Sequence, residues 1–446
     1  MTVSIIHAVV DPLQLHARNP QRYPFLLESS GENAVLGRYD ILFCCPGDAL
    51  VSSNGSLTGP FSDSNGFLSA LDAWYEEESS DSEENHGLPF TGGWFLYLGY
   101  ELLAEIEPTV PVYQDPLMPV ALAVRCPVAL VTDRRNHTQY LVAEKNAGNL
   151  VDTVEGDMAL LKSGRASPTG EFLASPVIEE PGGNFLQAVD VAKQYIHDGD
   201  IFQANLSRSW TAKLKPGITD PVLYAALRNA NPAPFAGLCK WKDGAIISSS
   251  PERLVEARNG RIQTRPIAGT RKRSRNDVED DRLSEELIAH PKERAEHVML
   301  LDLERNDIGR IAKTGSVSVD EFMVVESYEY VHHIVSNVSG TLRDDINPGD
   351  IIKAVFPGGT ITGCPKVRCM EIINELEQQA RGAYTGSMGY LGMDGSMDMN
   401  ILIRTMVRKG NEIVVRAGAG IVADSQPEFE LEETRAKARG LLVALE

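Results

Sequence analysis

Two stretches of this sequence place carboxylates where helical geometry would bring them onto one face. In HPKERAEHVMLLDL, Pro291 suits a first helical turn, and Glu293 and Glu296 stand three apart. In DSQPEFELEETRAKARGLL, Glu430, Glu433 and Lys437 fall at i, i+3 and i+7, and Ser425 with Glu428 reads as an S-x-x-E capping box. Like charges at that spacing repel by a few tenths of a kcal/mol unless a cation sits between them. Four carboxylates from two helices suit a hard divalent cation such as magnesium, which takes few carboxylates and keeps waters for substrate oxygens. Two solvated helix faces would carry the same pattern.

A further carboxylate stands apart from these. Glu252 directly follows the strand-like ISSS and Pro251, at a strand end. A carboxyl held partly out of water there would have a raised pKa and could donate a proton to a leaving hydroxyl. His332 and His333 sit inside a strand-like run, so their rings point to opposite faces. PGGTITGCPK at 357–366 looks like a phosphate loop, but Cys364 and Pro365 separate Gly363 from Lys366 and break GxxxxGK[ST]. RAGAGIVADS at 416–425 lacks the third glycine of GxGxxG. Both read as tight turns whose backbone N–H groups could receive a carboxylate.

The elements that must position these groups lie mostly beyond residue 184. A helix with Phe185, Val189, Ala192 and Ile196 on one face leads to the strand-like IFQANLSRSW, then AIISSSPERL and IQTRPIAGT. A helix entered through Pro291, the strand YVHHIVSNVSGTL, a helix opened by PGGTITGCPK, and two strands around ILIRTMV and EIVVRAGAGIV follow. Many strands succeed one another without a helix between them. That favours antiparallel sheets with helices outside over a doubly wound parallel sheet. Residues 1–165 read as mixed α/β, with β-rich runs at 23–27, 39–45, 94–98 and 121–131. Residues 76–87 read as a solvated acidic loop, and 163–184, rich in Pro, Gly and Ser, as a linker.

The chain has 446 residues, and its 42 Lys+Arg against 62 Asp+Glu give a net charge of −20. A pI near 5.0 argues against a phosphate-backbone binder, because nucleic-acid affinity rests on clustered Lys and Arg. A small anionic substrate needs only a local cluster of donors. No apolar stretch approaches the ~18 residues that span a bilayer. MTVSIIHAVVDPLQLHA has no basic region and carries Asp11 where a secretory signal would stay apolar. Cys44, Cys45, Cys126, Cys239, Cys364 and Cys369 follow neither metal-ligand spacing nor a disulfide framework. Reduced thiols in a cytoplasmic protein, with no membrane or nucleic-acid partner, are the expectation.

Together the motifs say more than any one alone. SPERL, TRPIAGT, ERAEHVMLLDLERNDIGR, HHIVSNVSGTL, FPGGTITGCPKVRCMEIINELE, GYLG, IRT and GAGIVADSQPEFELEET closely resemble the chorismate-binding enzyme family. That family holds anthranilate synthase component I, aminodeoxychorismate synthase component I, and the isochorismate and salicylate synthases. The resemblance runs almost continuously over 184–446, and more loosely over 1–165 through LLES, GRYDIL and PFTGG…LGYEL. It implies an α/β fold of large, mainly antiparallel sheets packed together with helices outside. The division would be an N-terminal anthranilate synthase component I-like region, 1–165, and a chorismate-binding catalytic core, 184–446.

Carried over residue by residue, the resemblance makes Glu296 and Glu433 magnesium ligands, with Glu293 and Glu430 acting through water. Glu252 becomes the general acid for the departing C4 hydroxyl, and His333 the ring-facing histidine. Thr360, Tyr384, Arg404, Lys437 and the backbone at Gly418 and Gly420 match donors for the substrate carboxylates, beside Ala268, Gly269 and Thr270 of PIAGT. Gln203 stands where isochorismate and salicylate synthases carry a water-activating lysine. A neutral amide cannot be that base, so ammonia is the implied nucleophile and a glutamine amidotransferase the implied partner.

Ala268 resembles anthranilate synthases, because many aminodeoxychorismate synthases carry a covalent lysine there. PGGTITGCPK, QANL, NPAPFAG, GRYDIL and GSMGYLGMDGSMDMNI look more like the aminodeoxychorismate branch, one subclass of which has PIAGT. LLES resembles half of the tryptophan-binding motif of anthranilate synthases, but the other half, NPSPYMF, is replaced by NPAPFAG. The resemblance therefore favours amination of chorismate for folate synthesis with weak or no tryptophan control. Anthranilate formation is the alternative.

Overall fold

The computed structural model describes residues 2–7, 9–30, 37–79, 87–161, 170–274, 276–327 and 331–446. Among the described residues, short apolar runs broken by Gly, Pro and Asn turns build two large sheets of 12 and 11 strands. The strands pair antiparallel. The expected architecture is therefore the observed one.

The two sheets pack face to face. Phe25 of the first stacks on Phe95 of the second with ring centroids 4.0 Å apart, and Phe43 meets Phe95 edge-on. Such pairs are worth about 0.5–1.5 kcal/mol beyond the area they bury. Helices cover both outer faces. Leu13, Val154, Leu223, Leu227 and Leu441 pack with Trp210, Ile413 and Val415 on the first sheet. Phe67, Leu71, Trp74, Leu301, Ile308 and Ile352 pack with Leu96, Val255 and Met399 on the second.

Strands from residues 1–165 and from 184–446 share both sheets. Phe25–Glu28 pairs with Phe235–Trp241, and Gly93–Leu98 pairs with Ser387–Gly392. The chain steps between the sheets at short crossovers. Residues 121–131, read as one run, are two strands in different sheets. Ala121–Cys126 pairs with Gly93–Leu98 and Val128–Asp133 with Tyr39–Cys44. Between them Pro127 has no N–H to donate to either ladder. Two further crossovers lie side by side. Gly244–Ser250 of the first sheet passes through Pro251 and Glu252 into Arg253–Arg258 of the second. Met397–Asn400 of the second passes through 401–404 into Thr405–Lys409 of the first. Ile401 N–H donates to the Glu252 carbonyl (3.0 Å), and Ser249 N–H donates to the Arg404 carbonyl (3.0 Å).

Several local expectations are corrected. RAGAG is not a turn: Gly418 and Gly420 lie within the strand Glu412–Ile421, paired with Ser207 and Asn205. The capping box does not form. The helix Pro427–Val443 is capped at Gln426, while the buried Ser425 hydroxyl accepts from Val422 N–H (3.0 Å). A helix over Asp277–Ala289, too polar to show an apolar stripe, precedes the expected Pro291–Gly309 helix. The linker read over 163–184 contributes an edge strand, Ile178–Glu179, and the first turn of Gly182–His197. Its residues 163–169 lie outside the described ones. The acidic loop begins inside the helix Phe67–Glu78, and its residues 80–86 also lie outside the described set. The six cysteines are free thiols, as expected. Among the described residues no helix is long and apolar enough to cross a membrane.

Candidate active site

The neighbouring crossovers fix two charged groups between the sheets at one end of the sandwich. Glu252 is 6 % exposed and accepts a hydrogen bond on Oε1 from the Thr360 hydroxyl at 2.8 Å. Burial pushes its carboxyl up to about 7, although the Thr360 bond and the Lys437 charge pull the other way. It is thus partly protonated near neutrality. Thr360 comes from a tight turn, Gly359–Ile361, inside PGGTITG.

Arg404 sits at φ +53°, a left-handed conformation that costs a non-glycine residue about 1–3 kcal/mol. Its guanidinium donates from one arm to the Lys437 carbonyl at 3.0 Å. Burial lowers its pKa, which Tyr384 and Glu433 only partly offset. A buried guanidinium facing a carbonyl, a phenol and a more distant carboxylate is suited to an incoming anion.

The glycines of Glu412–Ile421 are demanded by close approach. A Cβ on Gly418 would lie 2.5 Å from the Tyr384 hydroxyl and 2.6 Å from Asn205 Oδ1. One on Gly420 would lie 2.7 Å from Gln203 Nε2. The Lys437 ammonium donates to the Gly418 carbonyl (3.0 Å) and pairs with Glu433 at 2.7 Å. Tyr384 is buried, with its hydroxyl pushed up to about 12 by desolvation, and it donates toward Asn205 Oδ1 (3.5 Å).

The third wall comes from the second sheet. Ile267–Lys272 pairs with Val331–Thr341, and the register shifts between Ala268 and Thr270, so Gly269 bulges out at φ +69°. Its carbonyl accepts from His333 Nδ1 at 3.2 Å, which makes Nε2 the unprotonated nitrogen. Burial holds the His333 pKa below its usual value, and the Arg404 charge pushes the same way. A Cβ on Gly269 would lie 2.8 Å from Glu293 Oε2, and Glu293 pairs with Arg271 at 3.1 Å. His332 faces the other way, to Asp280 (3.1 Å) and Ser327 (2.8 Å), as strand alternation requires.

Glu252, His333, Gly269, Thr360, Tyr384, Arg404, Gly418 and Lys437 are thus joined by hydrogen bonds, close approach or mutual charge, and Gly420, in the same strand as Gly418, approaches Gln203 instead. Ala268 is 8 % exposed beside the bulge; the Thr270 side chain lies outside the described residues. Glu293 and Glu296 are half-buried on Pro291–Gly309, while Glu430 and Glu433 project from Pro427–Val443. Among the described residues no three His, Cys, Asp or Glu side chains already converge as a metal set. The hard carboxylate oxygens, reachable from solvent and divided two and two, fit a magnesium ion in donor chemistry.

Reading the sequence missed Glu304, 5 % exposed and pushed up to about 8, and the buried Asp307–Lys366 ion pair. The signal was present: Glu304 stands eleven residues after Glu293, which returns to within about 20° of the same helix face.

A second cavity of about 320 Å³ lies farther along the sandwich, lined by Leu27, Glu28, Ser29, Phe235, Ala236 and Arg253 among others. Its polar wall is internally engaged. Glu28 is held by Arg134 (2.9 Å), Arg228 (3.1 Å) and the Tyr224 hydroxyl (2.8 Å). The Ser29 hydroxyl donates to the Pro234 carbonyl (2.9 Å).

Residues 51–443 match the family described as chorismate binding enzyme. Anthranilate synthase component 1 of Geobacillus stearothermophilus is 38% identical, over 98% of this chain and 92% of that protein. Aminodeoxychorismate synthase component 1 of Bacillus subtilis is 40% identical, over 93% of this chain and 91% of that one. Among solved structures, anthranilate synthase component I from Streptococcus pneumoniae superposes with a TM-score of 0.80 at 32% identity, covering 98% of each chain.

Proposed function

The chain belongs to the chorismate-binding enzyme family, and from that premise we propose that it is an aminodeoxychorismate synthase component I. It would convert chorismate and ammonia to 4-amino-4-deoxychorismate, the precursor of p-aminobenzoate and folate, with ammonia supplied by a glutamine amidotransferase partner. The observation that carries the reading is the pairing of a buried, partly protonated Glu252 with a cationic lobe at Arg404 and Lys437 across one cleft. An acid for a departing hydroxyl and a seat for carboxylates are what a chorismate amination needs.

Ammonia adds at C2 while the C4–O bond breaks, and the proton from Glu252 lets that oxygen leave as water. The nitrogen at C2 then gives up a proton, leaving non-covalent 2-amino-2-deoxyisochorismate. A second ammonia attacks C4 as the C2–N bond breaks; the C2 amine takes up a proton and departs as ammonia, the new C4 nitrogen gives one up, and 4-amino-4-deoxychorismate results. Arg404 and the Tyr384 hydroxyl orient the substrate carboxylates. Glu296 and Glu433, with Glu293 and Glu430 through water, would hold magnesium, which supplies a Lewis-acid grip on the ring carboxylate. Gln203 favours ammonia over water. It is 8 % exposed, cannot act as a base, and its buried Oε1 has no hydrogen-bond partner among the described residues, which suits it to accept from an N–H.

A second reading, anthranilate synthase component I, is favoured by Ala268 and by LLES on the wall of the second cavity. The test is a product assay with the chain, chorismate, magnesium and an ammonium salt at alkaline pH. We expect p-aminobenzoate that depends on added aminodeoxychorismate lyase, little anthranilate fluorescence, and loss of turnover on chelation of magnesium. Strong lyase-independent fluorescence would establish the second reading instead. Titration calorimetry with free tryptophan is expected to give no saturable binding below about 1 mM. A micromolar isotherm would overturn that expectation.

A further inference from the structure

Behind the cleft lies a buried arginine, Arg381, to which the reading above gives no task. The helix Lys366–Glu377 ends at Gln378, which turns the chain at φ +50°. The tight segment that follows, RGAYTG at 381–386, carries Tyr384. The N–H groups of Arg381 and Gly382 donate to the buried Glu101 carboxyl at 2.8 and 3.1 Å. Tyr384 N–H closes the turn on the Arg381 carbonyl at 3.1 Å.

A guanidinium has five N–H donors in a fixed fork. In Arg381 each of them has an acceptor. Nε and Nη2 donate to the Glu377 carboxylate at 3.0 and 2.6 Å, and Nη2 donates again to the Asn205 carbonyl at 2.6 Å. Nη1 donates to the Ile361 carbonyl at 3.2 Å and to the Thr385 hydroxyl oxygen at 3.4 Å. The guanidinium also lies over the rings of Tyr100 and Tyr384, 4.9 and 5.6 Å from their centroids.

Two of these acceptors belong to the walls of the cleft. Asn205 presents Oδ1 to the Tyr384 hydroxyl, and Ile361 directly follows Thr360, whose hydroxyl holds Glu252. One side chain thus ties together the strand Gln203–Lys213, the turn Gly359–Ile361 and the Tyr384 ring. Pairing with Glu377 alone would not require this. Glu377 also receives the Ser207 N–H (2.7 Å), the Ser207 hydroxyl (2.9 Å) and Arg416 (3.1 Å), so it stays satisfied without Arg381.

We propose that Arg381 is a positioning residue for both halves of the cleft. Through Asn205 and the Tyr384 ring it sets the hydroxyl that orients a substrate carboxylate. Through Ile361 it sets the Thr360 hydroxyl against the acid, Glu252. The inference rests on the chorismate reading above, whichever product is formed. A lysine keeps the charge, but its single nitrogen cannot reach acceptors on three separate segments. Misplacement of such groups by about 1 Å costs up to about 10²-fold in rate.

The experiment follows ammonium-dependent consumption of chorismate, with magnesium, in wild type, Arg381→Lys, Tyr384→Phe, Thr360→Val and the two double variants that contain Arg381→Lys. Arg381→Lys should raise KM for chorismate and lower kcat, each by about tenfold. Combined with Tyr384→Phe it should raise KM no further, and combined with Thr360→Val it should lower kcat no further. Unchanged constants in Arg381→Lys, or losses that multiply in either double variant, would overturn the proposal alone. A wild type that leaves chorismate untouched would remove the chorismate reading, and this inference with it. Tyr100 supplies a second test should Arg381→Lys not fold, since its ring seats the guanidinium from a cluster with Leu103, Val110 and Met370. Tyr100→Leu should raise KM by about threefold or more, while Tyr100→Phe, which keeps the ring, should match wild type. Wild-type constants in Tyr100→Leu would overturn the proposal.

Discussion

Glu252→Gln is expected to lower kcat for ammonia-dependent amination by about 10²–10⁴-fold while leaving KM for chorismate within a few-fold. The amide keeps the shape of the side chain and its bond from Thr360, so the substrate is still seated, but it cannot deliver a proton to the C4 oxygen. The same change should raise stability. Folding raises the Glu252 pKa from 4.5 to about 7, so the folded state holds the proton more tightly than the unfolded chain. Stability linked to this group is full below about pH 4.5 and is lost as pH rises through about 7. Above that, the wild type carries a buried charge that the glutamine variant lacks, a difference on the order of 3 kcal/mol. Denaturant melts at about pH 8 should place the variant above wild type. A variant that is active, or less stable at that pH, would remove Glu252 from the acid's role.

Arg404→Met is expected to weaken chorismate binding by on the order of 100-fold or more, because removing one member of a desolvated charge pair costs 2–5 kcal/mol or so. In the free protein, however, the guanidinium is buried with its pKa lowered rather than raised. Its removal should leave the melting temperature unchanged or higher. Arg404→Lys keeps the charge but loses the fork, and should recover only part of the affinity. The readouts are KM and chorismate-induced thermal stabilisation. A large fall in melting temperature with unchanged KM would make Arg404 a structural residue instead.

Much of this arrangement is legible in the sequence. Antiparallel sheets followed from strands that succeed one another without helices, and the Phe185, Val189, Ala192 face is buried as its spacing required. Glu252 after ISSSP was recognisable as a strand-end carboxylate. What the residues alone did not show was that this end is a passage between two sheets. Only long-range pairing places residues 401–404 beside it. RAGAG misled because glycine at that density signals turns. Here it reflects a strand pressed against Tyr384, Asn205 and Gln203, a tertiary constraint with no local trace. The Ser425 box failed for a related reason: the buried hydroxyl bonds back to Val422 before the helix begins. Glu304 was overlooked because a carboxylate in a polar helix reads as solvated until the neighbouring strand and turn cover it.

The hairpin of Thr405–Lys409 and Glu412–Ile421 lies between Gly244–Ser250 and Gln203–Lys213, in the interior of the first sheet and far later in the chain than either neighbour. During synthesis those two neighbours must wait with open edges until the hairpin arrives to join them. That interval exposes the chain to mispairing, since long-range strand closure is slow and unpaired edges template aggregation. The same order provides a safeguard. Arg404, Gly418, Gly420 and Lys437 all arrive with or after that closing piece, so the cleft is completed only once the hairpin has joined the sheet.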